Sequence, residues 1–283
     1  MMALERTLQS SAAVEGLGLF TGEHCRCVIH PAEIGRGVSF QYHGMQIPVG
    51  VDSICHRPVH RAFEGMPARC SAVGNGETTV WLVEHVLSAL TGLGISNAVI
   101  EVSHGELPIL DGSSLGFVEA IQRAGIEDQD APVDPLVVSK PVRVGCGDSW
   151  IEVVPAELCS YEYTIDYGVG SPIKRATVRW DGGVKDYIER IAPARTFCLK
   201  HEAEALVAGG LFGHVEQGEM LVFDDDGPMD NGLRHVDECG LHKLLDLIGD
   251  VALIGRPIVG EIRAHKSGHA LAHEFAKAVV LAQ

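Results

Sequence analysis

The chain has 283 residues, 46% of them apolar, enough for a buried core and about two domains, so an intrinsically disordered protein is excluded. Acidic side chains number 38 against 22 basic ones, and the net charge of −16 argues against nucleic acid and anionic bilayers as partners. No run approaches the ~20 apolar residues of a membrane span, and the start, Met-Met-Ala-Leu-Glu-Arg, is not a signal peptide, so a cytoplasmic location is expected.

Along the first half, strands are predicted over residues 27–30, 38–42 and 47–51. Cys25, Cys27 and Ile29 share one parity of a strand and read as its buried face; with His24 and His30 they match no usual zinc spacing. The eight cysteines are scattered, unlike a disulfide framework. Leu82, Val83, Val86, Leu87 and Leu90 have helical spacing, ended by Gly92 and Gly94. A strand over 97–102 follows, and the turn at 111–114 caps a second helix reaching about Ala124. Residues 126–135 are polar and acidic with two prolines, and read as a linker.

The second half repeats this grammar. Strands are predicted over 136–144, 150–154, 161–167 and 176–181. Leu241, Leu244, Leu245 and Ile248 mark a helix, followed by a strand over 257–262, a turn at 266–268 and a last helix. The spacing from His85 to His242 nearly equals that from Ser113 to His269, which suggests a duplicated helix–strand–turn–helix unit. Strands first and helices last in each half predict an α+β fold rather than a doubly wound sheet.

His242 and Asp246 stand at i and i+4, so both project from one helix face. Such a pair is either a surface hydrogen bond or two metal ligands. His85 lies in the matching helix of the first half; packed face to face, the repeats would add it as a third ligand. Three protein ligands with a fourth position open is the pattern of a catalytic zinc site. Glu84 is either a first-turn acid favoured by the helix dipole or a general base. His269 titrates near neutral pH and suits a general acid, with Asp250 able to orient it; Lys243 is either solvated or an oxyanion or phosphate partner. The run Asp224, Asp225, Asp226 before Gly-Pro reads as an exposed turn.

Five ordered blocks then go beyond single residues: 83–97 (Val-Glu-His-Val-Leu-Ser-Ala-Leu-Thr-Gly-Leu-Gly-Ile-Ser-Asn), 106–114 (Glu-Leu-Pro-Ile-Leu-Asp-Gly-Ser-Ser), 194–197 (Ala-Arg-Thr-Phe), 232–250 with its His-Lys-Leu-Leu-Asp, and 265–271 (His-Lys-Ser-Gly-His-Ala-Leu). Together they resemble the UDP-3-O-acyl-N-acetylglucosamine deacetylases, zinc enzymes of the committed step of lipid A synthesis, over nearly the whole chain. The resemblance implies two similar α+β domains, 1–126 and 136–283. Each would be a small, mainly antiparallel sheet packed with two helices, with the active site between them. It implies His85, His242 and Asp246 as ligands of Zn2+, for which Fe2+ could substitute. Glu84 would be the general base and His269 the acid that protonates the leaving amine, with Asp250 beside it. Thr196 and Lys243 would stabilise the oxyanion, and Phe197 would pack on the sugar. Leu199, Leu206, Leu211 and Phe212 are candidates for the wall of an acyl tunnel, or else the apolar face of an amphipathic core helix. The expected partner is a UDP-sugar carrying an acyl chain, and the expected state is a monomer.

Two departures from that family pattern bear on substrate. In residues 18–22, Gly-Leu-Phe-Thr-Gly, Phe20 stands where histidine is usual. Residues 210–223 carry His214, Val215 and Glu216 where a small Gly-Gly-Ser stretch is typical. The alternatives are a zinc amidase of the same fold acting on another N-acetyl sugar, and a non-catalytic nucleotide-sugar-binding relative.

Overall fold

The computed structural model describes residues 3–215, 219–229 and 232–283. Among these are six α-helices: α1 (Glu84–Gly92), α2 (Leu115–Ala124), α3 (Val184–Asp186), α4 (Lys200–Ala208), α5 (Glu238–Val251) and α6 (His269–Ala282). Two five-stranded sheets carry the architecture, and the fold is α+β. In spatial order the first runs Ala12–Leu17, His24–Pro31, Ala98–Val102, Val38–Tyr42, Met45–Pro48. The second runs Val142–Cys146, Ser149–Val154, Glu261–His265, Ser160–Ile165, Ala176–Trp180. Both sheets therefore share one winding: two strands, then the last of the five, then the third and fourth. In each, only the third and fifth strands run parallel.

Alternation of side chains decides which face of each strand is buried. Cys25, Cys27 and Ile29 are at most 1% exposed and point into the core as their parity predicts. In the second sheet Ile151, Val153, Tyr161, Tyr163, Ile165, Ile262 and Ala264 do the same. Helix α2 covers the strand Ala12–Leu17 and touches α1; α5 covers Ser160–Ile165, and α6 covers Val142–Cys146. The halves meet through α1 and α5.

That seam depends on small residues. A Cβ at Gly249 of α5 would lie 2.0 Å from the carbonyl oxygen of Glu84, so only glycine admits this approach. A Cβ at Gly92 would lie 2.3 Å from the ring of Tyr187, whose hydroxyl donates to Ser88 Oγ at 2.8 Å.

Several local expectations are corrected. Residues 126–132 of the expected linker form a strand, Ile126–Pro132, antiparallel to Leu4–Leu8. Much of this ribbon is exposed, so its hydrogen bonds hold it without an apolar pattern to betray it. The run 136–144 breaks into Leu136–Val137, parallel to Ile258–Val259, and Val142–Cys146. The strand over 257–262 also divides, at Gly260, where a Cβ would lie 2.9 Å from Val138 and Val153. The strand expected over 47–51 is Met45–Pro48, and residues 51–53 turn as a short 3-10 helix. Ser114 does not cap α2 with its side chain: its hydroxyl donates to the carbonyl of His85 at 2.8 Å. Residues 224–227 form the expected turn, with Asp224 Oδ1 accepting the amides of Asp226 and Gly227.

Candidate active site

The first turn of α1 delivers Glu84 and His85 to the seam, and α5 delivers His242 and Asp246 from one face. His242 Nε2 lies 3.3 Å and His85 Nε2 3.7 Å from Asp246 Oδ1, with the two imidazoles perpendicular and 5.3 Å apart. A donor atom from each of the three falls within 4.8 Å of the others, and all three residues are buried. Burial, then the neighbouring His242, push His85 down to about 3; burial also lowers His242. Both imidazoles are thus neutral, with lone pairs available. His242 Nδ1–H donates to the carbonyl of Ala194 at 3.0 Å, which leaves Nε2 as the ligating nitrogen. Burial opposes ionisation of Asp246, but His242, Lys243, His269 and His85 outweigh it and hold the carboxyl well below the usual range. Two neutral imidazoles and one carboxylate, converging from two helices, fit a divalent metal ion.

Around this triad sit groups able to move protons. Glu84 is 2% exposed; burial, reinforced by Asp250 and Asp246, raises its carboxyl to about 8 against the pull of His269. Its Oε2 accepts the amide of Ser71 at 2.9 Å. Across from it, His269 Nε2 lies 3.9 Å from Glu84 Oε1 and 4.0 Å from Asp246 Oδ2. His269 Nδ1–H donates to Asp250 Oδ2 at 2.9 Å. Burial disfavours the imidazolium, yet Asp250 overrides burial and lifts His269 to about 9. One site therefore holds a base-capable carboxylate and an acid-capable imidazolium on either side of a metal-ligand cluster.

Lys243 Nζ donates to Asp246 Oδ2 at 2.8 Å; Asp246 overcomes the burial penalty and keeps the ammonium charged. The ring of Phe197 lies 6.2 Å from that of His242. Thr196, between Phe197 and the segment that holds His242, is half-buried and donates its amide to Gly112. Leu199 and Leu206 are half-buried beside the core, whereas Leu211 and Phe212 are buried. Phe212 faces Phe20 at 5.8 Å, and Phe20 meets Phe63 edge-on at 5.4 Å. His214 Nε2–H donates to the carbonyl of Gly18 at 2.9 Å. Glu216 lies outside the described residues.

Sequence reasoning missed four supports. Ser71 and His273 flank Asp250. Arg195 and Glu238 form a buried ion pair at 2.8 Å. Glu106, fully buried, accepts the amides of Phe20 and Thr21 at 2.8 Å and fixes that loop. Asp111 pairs with Arg234 at 2.7 Å. Glu106, Asp111, Arg195, Arg234 and Glu238 lay within blocks singled out in the sequence, Ser71 and His273 outside them, and none advertised its partner.

A family model described as UDP-3-O-acyl N-acetylglycosamine deacetylase matches residues 5–281. The chain belongs to this family. The chain is 34% identical to a UDP-3-O-acyl-N-acetylglucosamine deacetylase of Leptospira biflexa, over 97% of this chain and 89% of the relative. It is 36% identical to deacetylases of the same name from Acidithiobacillus ferrooxidans and Neisseria meningitidis serogroup B. Those matches cover 100% and 98% of this chain, and 91% and 90% of the relatives. No described helix is long and apolar enough to cross a membrane.

Proposed function

We propose that the protein hydrolyses the N-acetyl group of a UDP-3-O-acyl-N-acetylglucosamine, releasing acetate, in lipid A synthesis. Family membership supports the substrate. The observation that carries the chemistry is the buried Glu84–His269 pair beside the His85, His242 and Asp246 cluster. The reading takes His85, His242 and Asp246 as ligands of zinc, with ferrous iron satisfying the same donor set. When bound, the metal supplies Lewis-acid polarisation of the acetamide carbonyl.

The chain's own residues supply the proton traffic. Ionised Glu84 takes a proton from the attacking water as its oxygen bonds to the carbonyl carbon. Lys243 and Thr196 stabilise the negative charge that develops on the carbonyl oxygen. His269 gives its Nε2 proton to the amine nitrogen as the carbon–nitrogen bond breaks, and acetate departs. Phe197, beside His242, packs on the sugar, and Leu199, Leu206, Leu211 and Phe212 line the path of the acyl chain.

The reading further divides the chain into α+β domains at 1–126 and 136–283 with the site at their seam, a division supported by the repeated sheet winding. It includes a cytoplasmic monomer that takes a small-molecule partner and no nucleic acid, in keeping with a net charge of −16. The test is acetate release by the purified, zinc-loaded protein from UDP-3-O-acyl-N-acetylglucosamines of several chain lengths, beside the unacylated UDP-sugar. Acyl-dependent turnover that a chelator stops and zinc restores is expected. Turnover untouched by metal removal would overturn the metal assignment, and turnover on none of the acylated substrates would overturn the substrate.

A further inference from the structure

Three separated segments converge behind His269. Helix α6 places His269 and His273 one turn apart on one face, α5 presents Asp250 to both, and Ser71 stands just before the strand Ala72–Gly74. Ser71 and His273 are 0% exposed and Asp250 2%. Ser71 Oγ lies 2.5 Å from Asp250 Oδ1 and 2.7 Å from His273 Nε2, while Asp250 Oδ2 accepts His269 Nδ1–H at 2.9 Å.

The donors in this chain can be ordered. Ionised Asp250 has only acceptors, so the single hydroxyl proton of Ser71 goes to Oδ1. The Ser71–His273 contact must then be His273 Nε2–H donating to Ser71 Oγ. That tautomer leaves His273 Nδ1 unprotonated, and it is a buried nitrogen without a hydrogen-bond partner among the described residues. Burial holds His273 down to about 4, so the ring is neutral, as the chain requires. Every donor thus points toward Asp250, and each of its oxygens is gripped from a different side. Such aligned bonds reinforce one another in a low-dielectric interior.

We infer that Ser71 and His273 are positioning residues, which act through Asp250 to hold the His269 imidazole with Nε2 turned toward Glu84 and Asp246. Ser71 has a second connection: its amide donates to Glu84 Oε2 at 2.9 Å. One residue therefore sets the spacing between the proposed base and the proposed acid. The inference rests on the acid role proposed for His269.

The experiment is a double-mutant cycle on the metal-loaded full chain. Ser71→Ala keeps the amide contact to Glu84 and removes only the hydroxyl. Loss of an outer hydrogen bond of this kind costs about 10–100-fold in related settings. The expectation is kcat lowered by at least about tenfold with KM within about twofold, unchanged metal content, and recovery in Ser71→Thr. In an Asp250→Asn background Ser71→Ala should cost less than about twofold more, and His273→Phe should behave likewise. In the resting protein, the far-downfield proton resonance of His269 Nδ1–H should move upfield in Ser71→Ala. That reading needs no turnover, so it decides the network even if the deacetylase reading fails. Parent-like kcat in Ser71→Ala, multiplicative losses in the double variant, or an unmoved resonance would each overturn the inference.

Discussion

Gly249→Ala tests how the site is assembled, because it adds one methyl group at the seam and removes no proposed catalytic side chain. The new Cβ would sit 2.0 Å from the carbonyl oxygen of Glu84 and 2.9 Å from its Cα. Ordinary carbon contacts begin near 3.4 Å, so α1 and α5 must separate by about an ångström. Both obstructing atoms are backbone, and no rotamer change relieves them. Alanine gains about 1 kcal/mol over glycine in helix propensity, while overpacking of this kind costs about 1–3 kcal/mol and occasionally more. Because the clash is with backbone, the cost falls at the top of that range, and a net loss of about 2 kcal/mol is expected. At ~2.1 cal/mol/K of unfolding entropy per residue, that lowers Tm by about 3–4 °C for a chain of this length. The larger effect falls on the metal cluster, since His85 rides on α1 while His242 and Asp246 ride on α5. Zinc affinity should drop by at least about tenfold. Differential scanning calorimetry with competitive zinc titration measures both, with Gly50→Ala as control because its Cβ meets nothing within 4 Å. A Gly249→Ala protein with parental Tm and parental zinc affinity would refute the seam argument.

Glu84→Gln and His269→Ala should each lose at least about a hundredfold in kcat while keeping bound metal, read by turnover beside metal analysis; retained turnover in either sinks its assigned role. Arg195→Met leaves the buried Glu238 carboxylate without its cation and should destabilise by about 3–5 kcal/mol, read by denaturant unfolding; a loss under about 1 kcal/mol would mean the pair is dispensable. His273 is held down to about 4 by burial against an ordinary value of 6.5. Its neutral form therefore contributes stability in full above pH 6.5, lost as pH falls from 6.5 toward 4 and worth at most about 3 kcal/mol. His273→Gln should flatten the decline of Tm across that window, and an unchanged slope contradicts the assignment. Gly22 has φ +67 and leaves room for His214, whose Nδ1 would be 2.8 Å from a Cβ there. Gly22→Ala should cost about 2 kcal/mol or more, and His214→Ala in that background should recover part of it; strictly additive thermal shifts would separate the two residues.

The helices that carry the site and the cluster of His85, His242 and Asp246 were legible because helical geometry is local. Spacing alone put His242 and Asp246 on one face, the repeat brought His85 and Glu84 opposite them, and the family resemblance joined these with His269 into one site. The order of the sheets was not legible, because the parallel pairing of Ala98–Val102 with Val38–Tyr42 is decided by how a helix returns the chain. The ribbon Ile126–Pro132 was hidden by its composition: seven residues with three acids and a proline carry no signal of burial. Ser71 and His273 were hidden differently. One is an undistinguished serine and the other one of 14 histidines, and their meaning comes only from meeting each other beside Asp250, across 202 residues of chain.

The repeated winding also explains why the site lies where it does. α1 and α5 occupy equivalent places, each between the fourth and fifth strands of its sheet, and they pack against each other. A group on the seam face of either helix is buried by the other copy, which supplies the desolvation that keeps His85 and His242 neutral. The two copies have then diverged in what they contribute: the first brings Glu84 and His85 at its helix start, the second His242 and Asp246 at mid-helix and Asp250 near its end. The departures at Phe20 and His214 follow the same logic. Phe20 of the first half packs against Phe212 of the second with the rings tilted, and His214 reaches back to the Gly18 carbonyl. Each unusual residue finds its partner in the other unusual segment, so the two departures form a single contact between the halves, and changing one exposes what the other buries.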